Sequence, residues 1–250
     1  MRAPDLEGVA ATLPPVMILG CGRSGTSIFG ELFDGLAGYV YTSEPFFADL
    51  LDADFTRPQA FKVPRESEGF AAKPGLSFPL GPLLAKAPHT KFFWIVRHPL
   101  DAICSLRVGI SHGWGHHPRP PDWRAWLERP LVERCARHWS FLNEVGYAQI
   151  ADSAELVRFE TMLREPRSFA RSICAQVGVD PDHESAAVEA WSARVQNTNS
   201  PAFLEAITSR GYSRLDHEVR VGRWRQNLAE EEVDRAWPIV KDAAKLFGYA

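Results

Sequence analysis

Lysine is scarce in this chain: of 28 basic residues among 250, 6 are Lys and 22 are Arg. Cysteine is scarce too, and Cys21, Cys104, Cys135 and Cys174 lie far apart with no CxxC pair. That spacing argues against a zinc ribbon or a disulfide scaffold and favours reduced, structural thiols in a cytoplasmic protein. No stretch approaches the roughly 20 apolar residues that span a bilayer. Met1 to Pro15 carries Asp5 and Glu7 and lacks the apolar centre of a secretory signal, so residues 1–14 read as a flexible N-terminus. Charge of one sign is also missing in bulk. The formal net charge is -3, which argues against coating nucleic acid or an anionic membrane through the overall field. Any anion must therefore be held locally. The Arg excess has two readings, a compositional bias shared with abundant Ala, or phosphate recognition by the guanidinium fork. Composition does not choose between them.

What is present fits one soluble globular domain covering 1–250, with 45% hydrophobic and 24% charged residues. Strand-like and helix-like segments alternate without repeats or linkers, the pattern of a parallel sheet with crossover helices. Strands are expected at Val16 to Leu19, Tyr39 to Thr42, Phe92 to Val96 and Leu156 to Phe159. Phe92-Phe93-Trp94-Ile95-Val96 is apolar throughout, as a strand covered on both faces requires. Helices are expected after Gly25, around Leu131 to Tyr147, and from Pro166 to Val177 with Gly178 as its stop. A last helix carries Val233, Trp237, Val240, Ala244 and Phe247 on one stripe, opened by a capping-box-like Asn227-Leu228-Ala229-Glu230 and open to a kink at Pro238. Gly, Pro and His cluster between Gly109 and Pro121, so residues 109–130 are expected to form a substrate-side loop.

Three segments carry chemistry. Gly20-Cys21-Gly22-Arg23-Ser24-Gly25-Thr26-Ser27 has the glycine spacing of a phosphate-binding loop between strand and helix, where backbone N–H groups face an anion. Thr26 stands where a nucleoside triphosphatase carries its Lys, and the nearest cation is Arg23. That weakens a kinase reading and leaves a 5′-phosphate or phosphosulfate open. The second segment is Arg97-His98-Pro99-Leu100-Asp101-Ala102-Ile103-Cys104-Ser105. Arg97 at a strand's carboxyl end and Ser105 on the following helix could converge on a second anion, or Arg97 could pair with a carboxylate. The third is Arg220-Val221-Gly222-Arg223-Trp224-Arg225, with Arg210 and Arg214 upstream. It is a local positive patch, either a solvated basic turn or a segment in which Gly222 would let backbone approach a phosphate, and Trp224, which packs on the core or on a base, tempers the first reading.

Together these segments resemble the family of sulfotransferases dependent on 3′-phosphoadenosine 5′-phosphosulfate (PAPS). Gly22-Arg23-Ser24-Gly25-Thr26-Ser27 is similar to the family's 5′-phosphosulfate loop, in the Arg form common among carbohydrate and bacterial members. Arg97 and Ser105 match the pair that binds the 3′-phosphate. Val221 to Leu228 resembles a Gly-Arg-Trp-Arg segment, Phe159-Glu160 the residues that meet the adenine, and Leu246-Phe247-Gly248-Tyr249 the usual ending. The resemblance implies a single P-loop-like α/β domain with a parallel sheet of about five strands. It implies sulfuryl transfer from PAPS, without a metal, to a hydroxyl or an amine of a small molecule or carbohydrate. It also implies donor contacts from Gly22, Arg23, Ser24, Gly25, Thr26, Ser27, Arg97, Ser105, Arg220, Gly222 and Arg223.

Among catalytic candidates, Glu44 before Pro45 resembles the Glu-Pro beside the sulfate and is the candidate base. Lys62 resembles the Lys that touches the bridging oxygen, and Arg23 suits the leaving 5′-phosphate. Val63 occupies the position of the base His of cytosolic members. His112, His116 and His117 read as loop lining or solvent-exposed rather than metal ligands. Trp114, Trp123, Trp126, Phe46 and Phe47 read as an acceptor pocket or as core. The competing readings are a P-loop kinase and a nucleotide-binding module without catalysis.

Overall fold

A computed structural model describes residues 13–63, 80–111, 113–196 and 221–249. Five strands form one all-parallel sheet: β1 (Val16–Gly20), β2 (Val40–Ser43), β3 (Gln59–Lys62), β4 (Lys91–Val96) and β5 (Ala154–Arg158). Their order is β2-β3-β1-β4-β5. The chain runs from β1 to one side of the sheet and then returns to place β4 on the other side. The carboxyl ends of β1 and β4 therefore flank a switch point, where open α/β sheets bind ligands. Glycine loop and Arg97 both lie there.

Side-chain alternation fills two cores. Met17, Phe92, Trp94 and Val96 face one layer with Trp139, Val240 and Phe247. Val16, Ile18, Phe93 and Ile95 face the other, against Phe29, Phe33, Phe159 and Trp191. Both faces of β4 are apolar because both are covered. Helices α1 (Thr26–Gly35), α2 (Phe47–Leu51), α3 (Leu80–Lys86), α4 (Pro99–Ser111) and α5 (Leu131–Phe141, continued by a π turn Leu142–Gly146) follow in chain order. After β5 come α6 (Phe159–Arg164), α7 (Pro166–Gln176), α8 (Ser185–Gln196), the short α9 (Trp224–Asn227) and α10 (Glu230–Leu246).

Several expectations change. β3 was not foreseen, and the strand expected at Leu156 to Phe159 is β5, with Phe159 opening α6. The loop expected from 109 begins later, since α4 continues through Ser111 and Trp123–Trp126 forms a 3-10 turn. α10 starts from Ala229, whose N–H donates to Glu232 Oε2 at 3.0 Å, while Asn227 takes Arg223 instead. This helix is assigned continuously through Pro238. Gly178 ends α7 as expected, at φ 78 with Val179 N–H bonded to the Cys174 carbonyl. Of the residues expected to form a flexible N-terminus, 1–12 lie outside the described residues; Leu13 packs on the second core and the Pro14 carbonyl accepts from Tyr39.

Candidate functional site

β1 ends in Gly20, and the turn Cys21 to Gly25 closes with Ser24 N–H on the Cys21 carbonyl at 3.1 Å. Gly25 holds φ 97, and a Cβ there would lie 2.4 Å from Cδ2 of Phe159. Only glycine fits that position. The N-terminus of α1 thus opens directly behind the turn, with its first N–H groups unbonded within the helix. Ser24 is fully buried and its hydroxyl has no protein partner, while Thr26 is buried beside it. A buried, orphaned hydroxyl in an anion loop marks a place for a ligand oxygen.

Three strand ends bring the catalytic candidates together. Lys62, the last residue of β3, is buried, and its ammonium donates to Glu44 Oε1 at 2.5 Å and to Ser27 Oγ at 3.2 Å. Glu44 follows β2, with its N–H on the Lys62 carbonyl at 2.8 Å. The base candidate, the Lys and the glycine loop therefore form one contact chain. Arg23, Glu44 and Val63 have φ of 69, 55 and 37 respectively. Left-handed backbone is costly for these residues, most of all for β-branched Val. Its clustering at three neighbouring strand ends is the distribution expected of a functional edge.

The second group is built on α4. Arg97 is buried at the end of β4, with its guanidinium 4.2 Å over the Phe159 ring and Nη1 donating to the Arg23 carbonyl at 3.3 Å. Desolvation pulls its pKa down to about 10; Asp101 opposes that fall and Arg223 adds to it. Arg223 is equally buried, its Nε donating to Asn227 Oδ1 at 3.2 Å. Ser105 is buried one turn beyond Asp101, and its hydroxyl has no partner. Two desolvated guanidinium groups and a buried, unpartnered hydroxyl are groups whose chemistry suits a compact anion.

Asp101 was named in the sequence only as a spacing mark, yet it organises this group. Its carboxylate, 1% exposed, accepts from Gly222 N–H at 2.7 Å and from Trp224 N–H at 3.0 Å. Those bonds pin both neighbours of Arg223 to α4. Gly222 holds φ 77 to make the turn. Trp224 stacks on His98 at 5.9 Å with an interplanar angle of 4°, so it packs on the protein. Glu160 clamps the same corner, accepting from His98 N–H at 2.8 Å and from the Tyr249 hydroxyl at 2.7 Å. Arg220, Arg210, Arg214 and His112 lie outside the described residues.

In the loop after α4 the tryptophans take the core alternative of their sequence reading. Trp114 is fully buried in the core, its indole donating to His138 Nδ1 at 3.3 Å, and Trp123 and Trp126 pack against the same core. Asp122 binds Arg137 and the Trp126 indole, which fixes the loop on α5. Phe46 is exposed, and nothing is described of the Phe47 side chain. His116 is half-buried against the glycine loop rather than in solvent, a position that glycine-rich flanks concealed. No three His, Cys, Asp or Glu side chains gather as a metal-binding group among the described residues, and no described helix is long and apolar enough to cross a membrane.

The family model described as the sulfotransferase family matches residues 38–184, more than half of the chain. No curated protein matches. Among solved structures, mouse sulfotransferase SULT7A1 complexed with PAP is similar at TM-score 0.55 and 15% identity, covering 93% of this chain and 84% of that one. Retinol dehydratase in complex with retinol and PAP is similar at 0.52 and 15%, covering 93% and 82%. The sulfotransferase domain of the Synechococcus PCC 7002 olefin synthase is similar at 0.50 and 16%, covering 100% and 98%. At these identities the likeness is one of fold, and it extends over the glycine loop and the C-terminal helix that the family model leaves out.

Proposed function

The chain belongs to the sulfotransferase family, and from that premise we propose that it transfers a sulfuryl group from PAPS to a hydroxyl or an amine of a small molecule or carbohydrate. The observation that carries the donor assignment is the pair of buried guanidinium groups, Arg97 and Arg223, which act electrostatically on one another and of which Arg97 bonds the Arg23 carbonyl in the glycine loop. An anion with two phosphate positions fits that layout. Its 3′-phosphate meets Arg97, Ser105 and the Gly222-Arg223 turn, with Arg220 as a further donor. Its 5′-phosphosulfate meets Gly22, Arg23, Ser24, Gly25, Thr26 and Ser27. The orphaned Ser24 and Ser105 hydroxyls each gain an oxygen partner on binding. PAP is the nucleotide named in the mouse and retinol dehydratase complexes.

The reaction is an in-line displacement, analogous to phosphoryl transfer. The acceptor oxygen forms a bond to sulfur while the bond from sulfur to the bridging oxygen breaks. The electron pair stays on the departing 5′-phosphate, and the acceptor proton goes to Glu44. Lys62 holds a positive charge between Glu44 and Ser27 and so stabilises charge growing on the bridging oxygen. Retinol dehydratase, solved with retinol, an alcohol, supports a hydroxyl as the group attacked. Calorimetry with PAP against ATP plus Mg²⁺ tests the reading. PAP binds more tightly if it holds, and a preference for ATP overturns it in favour of a kinase. Arg97→Ala weakens PAP by about 10- to 100-fold, from the loss of charge-assisted bonds worth about 1.5–3 kcal/mol. Equal loss for 5′-AMP removes Arg97 from the 3′-phosphate.

A further inference from the structure

The loop that follows α4 delivers one imidazole to the glycine loop. Trp114 N–H bonds the Ile110 carbonyl at 3.2 Å and Gly115 N–H bonds the Gly109 carbonyl at 2.8 Å, so the chain folds back over the end of α4. Gly113 and Trp114 make that reversal at φ 60 and 61, and the fully buried Trp114 anchors it on His138. The next side chain but one, His116, is wedged between two glycines. A Cβ on Gly109 would lie 2.3 Å from its Nε2, and a Cβ on Gly22 would lie 3.5 Å from its Nδ1. Nδ1 therefore faces the loop assigned to the phosphosulfate. Neither ring nitrogen makes a hydrogen bond within the described residues. Arg23 and Glu44, two of the three charged candidates of the transfer site, both act electrostatically on this ring.

We propose that His116 is a further substrate-contacting residue of the transfer site, a neutral imidazole whose N–H donates to the acceptor oxygen while Glu44 takes the acceptor proton. This rests on the sulfotransferase reading above. Two contacts, one donated and one accepted, fix both the position and the lone-pair direction of the attacking oxygen, which is how orientation lowers a barrier. Neutrality is required, because Glu44 acts electrostatically on the ring and an imidazolium there would weaken the carboxylate as a base. Burial, with Arg23 and His117 adding repulsion, pushes His116 down to about 4 against the opposing pull of Glu44. His138, whose ring centre is 5.8 Å away, is kept neutral by burial and by His116 and His117. Among the described residues, Glu44 is the group that favours a charged His116.

The test uses the full chain with labelled PAPS and 2-naphthol as the acceptor probe, with water as the acceptor where naphthol gives no product. His116→Ala lowers kcat by 10- to 100-fold and raises KM for the acceptor, while the Kd for PAP stays within twofold. His116→Asn restores an N–H near the position of Nδ1 and recovers at least a third of the loss on a logarithmic scale. Gly109→Ala leaves Glu44, Lys62 and Arg23 untouched but drives its methyl into His116, and it lowers turnover as His116→Ala does. The inference is overturned if either alanine variant stays within twofold of the unmodified chain, if PAP affinity falls in step with turnover, or if Asn does no better than Ala. An unmodified chain that binds PAP but turns over PAPS with neither acceptor also overturns it. Failure to bind PAP at all overturns instead the donor reading on which it stands.

Discussion

Replacing Asp101 with Asn separates the architecture of the second anion site from its charge. The carboxylate is buried and accepts two backbone N–H groups, at 2.7 and 3.0 Å, from the residues either side of Arg223. Hydrogen bonds to a charged partner contribute about 1.5–3 kcal/mol each. Asn keeps one acceptor oxygen and turns an amide N–H toward the other backbone donor, so one bond is lost and a donor is left facing a donor. We expect a loss of about 2–4 kcal/mol in unfolding free energy. In urea that lowers the midpoint by roughly 1–2 M for a slope of about 2 kcal/mol/M. The functional consequence is sharper than the stability loss. With Gly222 or Trp224 released, Arg223 no longer meets the 3′-phosphate, and PAP binds about 10- to 100-fold more weakly. Binding of 5′-AMP, which has no 3′-phosphate, changes by less than threefold. Calorimetry with both nucleotides on the folded variant reads the difference. Unchanged stability, or equal losses for the two nucleotides, refutes the role given to Asp101.

That role illustrates where the sequence was readable and where it was not. β1 and β4 were legible because near-continuous apolar runs are local signals, and β2 and β5 because Tyr39-Val40-Tyr41 and Leu156-Val157 are short β-prone stretches. β3 was not, since Gln59-Ala60-Phe61-Lys62 begins and ends in polar residues. Its burial depends on partners outside the strand: the Asp54 carbonyl for Gln59, and Glu44 and Ser27, 18 and 35 positions away, for Lys62. α8 did carry a signal, with Val188, Trp191 and Val195 at helical spacing and all buried. In the candidate site, the glycine loop, Arg97 and Glu44 were singled out because each sits at a strand end or helix start, and Ser105 because it falls eight residues after Arg97 on the following helix. Asp101 and His116 escaped because nothing local distinguishes a helical Asp from a solvated one, or a loop His from an exposed one. Asp101 acquires its meaning from Gly222, 121 positions away. His116 acquires its meaning from Gly22 and Gly109, whose missing side chains leave the space it fills.

Further outcomes follow from the same contacts. Glu44→Gln lowers turnover by about 10²- to 10⁴-fold, the usual size of a general-base contribution, with PAP affinity within twofold; unchanged turnover removes Glu44 from proton transfer. Gly25→Ala forces a methyl within 2.4 Å of Phe159 at φ 97, costing about 2–4 kcal/mol from left-handed strain and collision, read as a lower urea midpoint; a midpoint shift below 0.3 M contradicts the geometry. The last outcome concerns acid. His98, His116, His117 and His138 are all held below the ordinary imidazole value of 6.5, chiefly by burial, His116 at about 4. In the unfolded chain they protonate as pH falls past 6.5 while in the fold they protonate only at lower pH, so the unfolded state binds more protons and folding stability drops from pH 6.5 downward. Each of His116 and His138 contributes a slope of up to about 1.4 kcal/mol per pH unit, the exposed His117 less because solvent screens it, and for His116 that slope levels off below its folded value of about 4. Urea midpoints at pH 7.5, 6.0 and 5.0 check the sign: they decline together in the unmodified chain and decline less in His116→Asn, whereas midpoints flat from 7.5 to 5.0 would show that these rings accept protons in place and that the neutral imidazole beside Glu44 does not exist.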